Sequence, residues 1–168
     1  MNLRPARPED AEIIASMHTA CWRAAYRGVV SDEFLSQLDV RETTRRMASF
    51  LSTPGPENVI VEVDGESVGF ATFGARRDED LDETIGELWG LYLVPEHWRE
   101  GIGRSVLRDI ESRLAARAYD AVVLWTFERN AAARGFYEAM GYRADGATRA
   151  FDLGGPCPAI RMRKRLDR

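Results

Sequence analysis

Cysteine is scarce in this chain of 168 residues, with Cys21 and Cys157 the only two. So wide a separation matches no zinc-ligand spacing, and two thiols make no disulfide framework, so both read as free. No apolar run approaches the roughly 20 residues of a membrane helix, and the opening "MNLRPARPED" lacks the apolar core of a secretory signal. A cytoplasmic protein with no membrane partner is the expectation. Positive charge is not in excess either: 23 Lys and Arg stand against 27 Asp and Glu, a net charge of −4. That balance argues against a nucleic-acid partner, which needs a basic surface. Repeats, low-complexity tracts and linkers are absent, and no metal site is expected.

What is present suits a folded domain. The composition is 45% hydrophobic and 10% aromatic, enough for a proper core, and the length predicts one domain over residues 1–168. Residues Leu3 to Pro5 start a strand. "RPEDAEIIASMHTACWRAAYRG" predicts a helix with Pro8 in its first turn and Gly28 at its stop. "SDEFLSQL", capped by Ser31, and "VRETTRRMASFL" predict two more. Asp64-Gly65 between apolar runs marks a hairpin. The strand "GELWGLYLV" precedes a helix from about Gly101 to Arg117, whose Ile102, Val106, Leu107, Ile110 and Leu114 recur at helical spacing. "YDAVVLWTF" reads as a buried strand and "NAAARGFYEAMG" as a helix from Asn130 to Gly141. Two closing strands meet at Gly154-Gly155. The order predicts an α+β domain with a mixed sheet.

The glycines of "WREGIGRS" need a reason, because glycine costs about 1 kcal/mol against alanine in a helix. They stand between a strand and a helix, where unpaired N–H groups and the positive end of the macrodipole attract phosphate. Glycine lets a ligand approach the main chain, and Arg99 and Arg104 add charge. The reading is a pyrophosphate cradle. The dinucleotide fingerprint fails at Val106, and a P-loop fails at Arg104-Ser105.

The segment resembles motif A of the GNAT superfamily of N-acetyltransferases, Q/R-x-x-G-x-G/A, with Trp98 at its first position. "NAAARGFYEAMGYR" resembles motif B of the same family, "ELWGLYLVPE" its fourth strand, and Leu3 to Gly28 the first strand and helix of many small bacterial members. The resemblance implies a GNAT fold with fourth and fifth strands that are parallel and splayed, and acetyl-CoA as cosubstrate. By position it implies coenzyme contacts at Leu91, Tyr92 and Leu93 on the strand. Arg99, Glu100, Gly101, Ile102, Gly103 and Arg104 would hold the diphosphate, and Asn130 the pantetheine arm, unless it is a helix cap alone. Tyr137 aligns with the family's tyrosine at the coenzyme sulfur and is the candidate general acid, with a core aromatic as the plainer reading.

Acetyl transfer also needs a base and an oxyanion donor. Glu87, six residues before Leu93, is the candidate base, with water or an ordinary exposed strand glutamate as the alternatives. An even spacing puts it on the face of Leu93 if the strand carries no bulge. A backbone N–H near Leu93 is the expected oxyanion donor. His18, Trp22 and Tyr26 recur every four residues. Trp22 and Tyr26 could line an acceptor pocket, or the stripe could be core. The acidic loop "RRDEDLDET" could steer a cationic acceptor or simply be solvated. The run Arg161, Arg163, Lys164, Arg165 reads as an exposed strand face. The expected function is transfer of acetyl to a primary amine of a small molecule or peptide. A non-catalytic acyl-CoA-binding or sensing module is the alternative, and a homodimer is possible.

Overall fold

The computed structural model describes residues 1–167. Its strands are β1 (Asn2–Pro5), β2 (Glu57–Val63), β3 (Glu66–Ala75), β4 (Ile85–Leu93), β5 (Ala121–Phe127), β6 (Arg143–Asp152) and β7 (Pro156–Arg165). They form one seven-stranded sheet in the order β1-β2-β3-β4-β5-β7-β6. Only β4 and β5 run parallel; every other neighbouring pair is antiparallel. Helices are α1 (Ala11–Ala25), α2 (Asp32–Ser36), α3 (Val40–Leu51), α4 (Ile102–Ala116) and α5 (Ala131–Ala139). This is the mixed-sheet α+β architecture that the sequence predicts.

Local chemistry explains the boundaries. Asp64 and Gly65 both take positive φ, the requirement of a type I′ hairpin turn between β2 and β3. The Ser31 hydroxyl accepts from the Phe34 N–H at 3.2 Å and opens α2, and Asp39 accepts from Glu42 N–H at 2.8 Å to open α3. The one deviation near the amino terminus is a 3-10 turn over Pro8–Asp10, which leads into α1.

The sheet is covered on both faces. On one, Val106, Leu107, Ile110 and Leu114 of α4 pack with Phe73, Leu88, Val122 and Leu124, all fully or almost fully buried. Each such side chain contributes about 1.5–3 kcal/mol of transfer free energy. On the other, Ile14 and Met17 of α1 meet Ile60, Phe70 and Tyr92.

A β-bulge interrupts β4. Thr72 pairs with Gly90 and Phe73 with Leu88, so Trp89 is an extra residue and side-chain alternation reverses there. Leu88, Leu91 and Leu93 consequently all face α4, although an odd number separates the first from the other two. Glu87 therefore lies on the opposite face from Leu93, with Tyr92. The even-spacing expectation is corrected by one residue of bulge.

A second correction concerns Arg161. It is not part of an exposed strand face; it is 6% exposed and held by Asp78, Asp80 and Asp145 at 2.7–3.0 Å. The same contacts remove Asp78 and Asp80 from the pool of free steering charge in the loop before β4.

Candidate active site

The site begins where β4 and β5 part. Their pairing runs from Ile85–Ala121 to Leu88–Leu124 and stops, while β4 continues to Leu93 and β5 to Phe127. Past that fork the β4 edge facing β5 has no strand partner. The Val94 N–H donates to the Val68 carbonyl at 2.9 Å, which makes Gly69–Leu93 a non-hydrogen-bonded pair. By alternation, the main-chain groups of Leu91 and Leu93 turn into the gap and those of Tyr92 turn back to β3. The Leu93 carbonyl is already taken, accepting from Trp98 Nε1 at 2.6 Å and from the Cys21 thiol at 3.1 Å. Its N–H is the group offered to the gap.

Beyond β4 the chain turns into α4. Arg99 and Gly101 have φ of 65° and 82°, so left-handed residues flank Glu100, and N–H groups at such a turn converge into an anion-binding concavity. Gly101 is the N-cap of α4 and supplies no capping side chain, so the first-turn N–H groups are left for another partner. Gly101 is needed for its backbone angle. Gly103 is not: a Cβ there would meet Leu93 Cδ1 and the Phe136 ring at 3.5 Å, ordinary contact. A bare Gly103 instead keeps the space between those side chains clear. Arg99 and Arg104 are exposed and in no ion pair among the described residues, whereas Glu100 lies 3.0 Å from His97 Nδ1. Donors, charge and clearance fit a diphosphate.

Helix α5 lines the gap from the other side. Asn130 is buried, and its Oδ1 accepts from the Ala133 N–H at 3.1 Å, so it is a helix cap in fact. Tyr137 is half-buried against Phe136 and Tyr142, and its hydroxyl bonds to no described residue. Burial raises its pKa above the ordinary tyrosine value, with a further push from Tyr92. The phenol therefore keeps its proton at neutral pH.

The face of the sheet that carries α1 is lined by rings and charges. Trp22 stacks edge-on to Tyr26 at 4.8 Å, and Tyr26 to Phe127 at 5.0 Å. Burial raises Tyr26, and Tyr92 and Tyr137 both add to the shift, so three phenols lie close together. The Trp22 N–H is near enough to influence Tyr92 yet makes no hydrogen bond of good geometry. Burial lowers His18 to about 4, with help from Arg46, so it is neutral and no cation. Burial also raises the Cys21 thiol, to about 12.

Glu87 is fully buried, and Arg77 holds both its oxygens: the backbone N–H on Oε2 at 2.8 Å, Nε and Nη2 on Oε1 at 3.0 and 2.5 Å. It is thus not an exposed strand glutamate. The Arg77 guanidinium lies 4.4 Å over Trp89. Alongside, Arg149 lies 4.0 Å over the Trp125 ring, whose Nε1 donates to Asp78.

The predicted residues thus form two groups. Leu91, Leu93, residues 99–104, Asn130 and Tyr137 line the gap and its mouth; Glu87, Tyr92, Trp22 and Tyr26 lie on the α1 face. Sequence reasoning missed Arg77, Trp125, Phe127 and Arg149. A local signal existed only for Arg77, as the first basic pair of an otherwise acidic loop. Among the described residues, no cluster of three or more His, Cys, Asp or Glu is arranged to hold a metal ion, and no helix is long and apolar enough to cross a membrane.

Against known proteins, the profile of the Acetyltransferase (GNAT) family matches residues 14–142. The chain is 30% identical over 132 residues to an uncharacterized N-acetyltransferase, YuaI, of Bacillus subtilis (strain 168), covering 77% of this chain and 73% of that protein. It is 29% identical over 151 residues to a probable N-acetyltransferase, Rv2775, of Mycobacterium tuberculosis, covering 88% and 83%. Among solved structures, the PaiA N-acetyltransferase of Thermoplasma acidophilum, in complex with coenzyme A, superposes with a TM-score of 0.74 at 18% identity, covering 98% of each chain.

Proposed function

Because the chain belongs to the GNAT family of acetyltransferases, and is by that membership an acetyltransferase enzyme, we propose that it moves acetyl from acetyl-CoA directly to a primary amine of a small molecule or peptide. The observation that carries this reading is the fork itself: a strand edge with two main-chain positions turned into a gap, beside a main-chain nest at the start of α4. Acetyl-CoA, when bound, would supply the thioester, and its diphosphate would sit against residues 99–104.

The chain's own groups then divide the work. The Leu91 main chain binds the pantetheine arm, as a neighbouring strand would. The Leu93 N–H, held in place because Trp98 and Cys21 fix its carbonyl partner, donates to the oxygen on which negative charge develops. The Tyr137 phenol donates its proton to the departing thiolate and regains one from the attacking nitrogen, which sheds its second proton as the amide forms. Glu87 receives the proton of the ammonium, by way of water, from the α1 face. Its clamp by Arg77 orients the carboxylate, and its full burial keeps an acceptor amine from touching it, so the transfer needs a relay.

Titration calorimetry of the protein with coenzyme A tests the first half, and release of free thiol from acetyl-CoA in the presence of amines tests the second. Heat on binding and amine-dependent thiol release are expected. Absence of heat would remove the reading; binding without turnover of any amine would favour a non-catalytic acyl-CoA sensor.

A further inference from the structure

Four arginines gather on the α1 face near the fork, and two of them are held by carboxylate hydrogen bonds. Arg161 is saturated by three aspartates, Arg77 is spent on Glu87, and Arg76 donates to the Asp78 carbonyl at 3.0 Å. Arg149 differs. Its guanidinium lies between two rings, 4.0 Å from Trp125 and 4.8 Å from Phe151. Its nearest carboxylate oxygen, on Asp78, is 3.6 Å away, outside hydrogen-bond range. Its Nε, like that of Arg76, is buried and has no partner. The side chain is 34% exposed and so within reach of solvent.

A stacked guanidinium is oriented before anything binds it, and its donor pattern matches a planar carboxylate. Its neighbours sharpen the demand. Burial disfavours its cationic form more than Asp78 and Glu87 favour it, and an arriving anion would relieve that. Its place is also informative. Trp125 is the first residue of β5 beyond the last paired position, Leu88–Leu124, and Glu87 is the residue just before that position on β4. The stacked guanidinium, which makes no hydrogen bond to a carboxylate, and the candidate base therefore flank the fork at which the thioester is proposed to emerge.

Resting on the reading above, we propose that the acceptor is a free amino acid, whose carboxylate Arg149 binds in the fork while its amine faces Glu87. The rings of Trp22, Tyr26, Phe127 and Phe151 that border this space suit an apolar or aromatic side chain.

The test is thiol release from acetyl-CoA with matched trios: phenylalanine, its amide and 2-phenylethylamine, with the same trios for methionine and tryptophan. At least one acid is expected to exceed its amide by about 30- to 100-fold in kcat/KM, mostly through KM, the worth of a hydrogen-bonded charge pair. In Arg149→Met the acid falls to the level of the amide; in Arg149→Lys, which keeps charge without the fork, part of the preference returns. The inference is overturned if no acid is acetylated, if acid and amide are equal in the wild type, or if Arg149→Met retains the preference. Neutral amines turned over in place of acids would sink this inference alone. A protein that gives no heat with coenzyme A would sink the acetyltransferase reading with it.

Discussion

The two sides of the β4–β5 fork are built from different materials. The side assigned to the coenzyme is main chain: two strand positions, two left-handed turn residues and an uncapped helix start, with a glycine where the packing would accept a side chain. The side assigned to the acceptor is side chain, drawn from α1, β4, β5, β6 and the loop before β4. The first kind of surface can hold any molecule with the right backbone and phosphates. The second can be exchanged residue by residue without disturbing the first.

The largest effect should come from filling the bare main chain. In Gly103→Leu the coenzyme A Kd is expected to rise about 10³-fold, equivalent to two charge-assisted hydrogen bonds at about 2 kcal/mol each. The added Cβ itself meets its neighbours at ordinary contact distance, and the melting temperature separates lost binding from any strain of the larger side chain. Calorimetry and a melting curve check both, and a large fall in Tm with unchanged Kd would break the comparison. Next, Glu87→Gln should lower kcat about 100-fold while the coenzyme Kd stays put, separating the two sides by experiment.

Tyr137→Phe should also lower kcat, by about 30-fold, and reshape the pH profile. Because the folded pKa is raised, the acid form persists past the ordinary value of about 10. Wild-type kcat should therefore hold its plateau up to that pH. An alkaline limb centred well below it would assign the acid elsewhere.

The smallest effect concerns stability on the acceptor side. His18 is lowered from 6.5 to about 4, so the folded state binds its proton less readily than the unfolded chain. Its stabilising share is complete above pH 6.5 and is lost as pH falls towards 4. Replacing it in His18→Phe should flatten that acid slope by about 2 kcal/mol, read from urea unfolding at pH 7 and pH 4.5. Identical slopes in the two proteins would show that His18 is not the group responsible.

Sequence made the two sides unequally visible. Periodicity located α1 and α4 because their apolar stripes are local, and Asp64-Gly65, Ser31 and Asn130 announced their turn and caps through nearest-neighbour chemistry. The nest was legible for the same reason, since its residues are contiguous. The acceptor face was not. Arg149 meets Trp125 only through the register of β6 on β7 and of β7 on β5, which no local pattern records. Arg161 was hidden differently: in "RMRKR" charge fills both faces of the strand, so no alternation marks the buried one. Trp89 left no trace of its bulge in "GELWGLYLV", and the expected placement of Glu87 beside Leu93 failed on that point.

That one inserted residue has a consequence for how such an enzyme can change. On a strand, side is a two-valued property, and an insertion or deletion of a single codon toggles it for everything upstream. Here the toggle sends a carboxylate to one surface and leaves three leucines on the other. A shift of that size could exchange the groups offered to incoming molecules in one genetic step, with no substitution in the segment that grips the carrier.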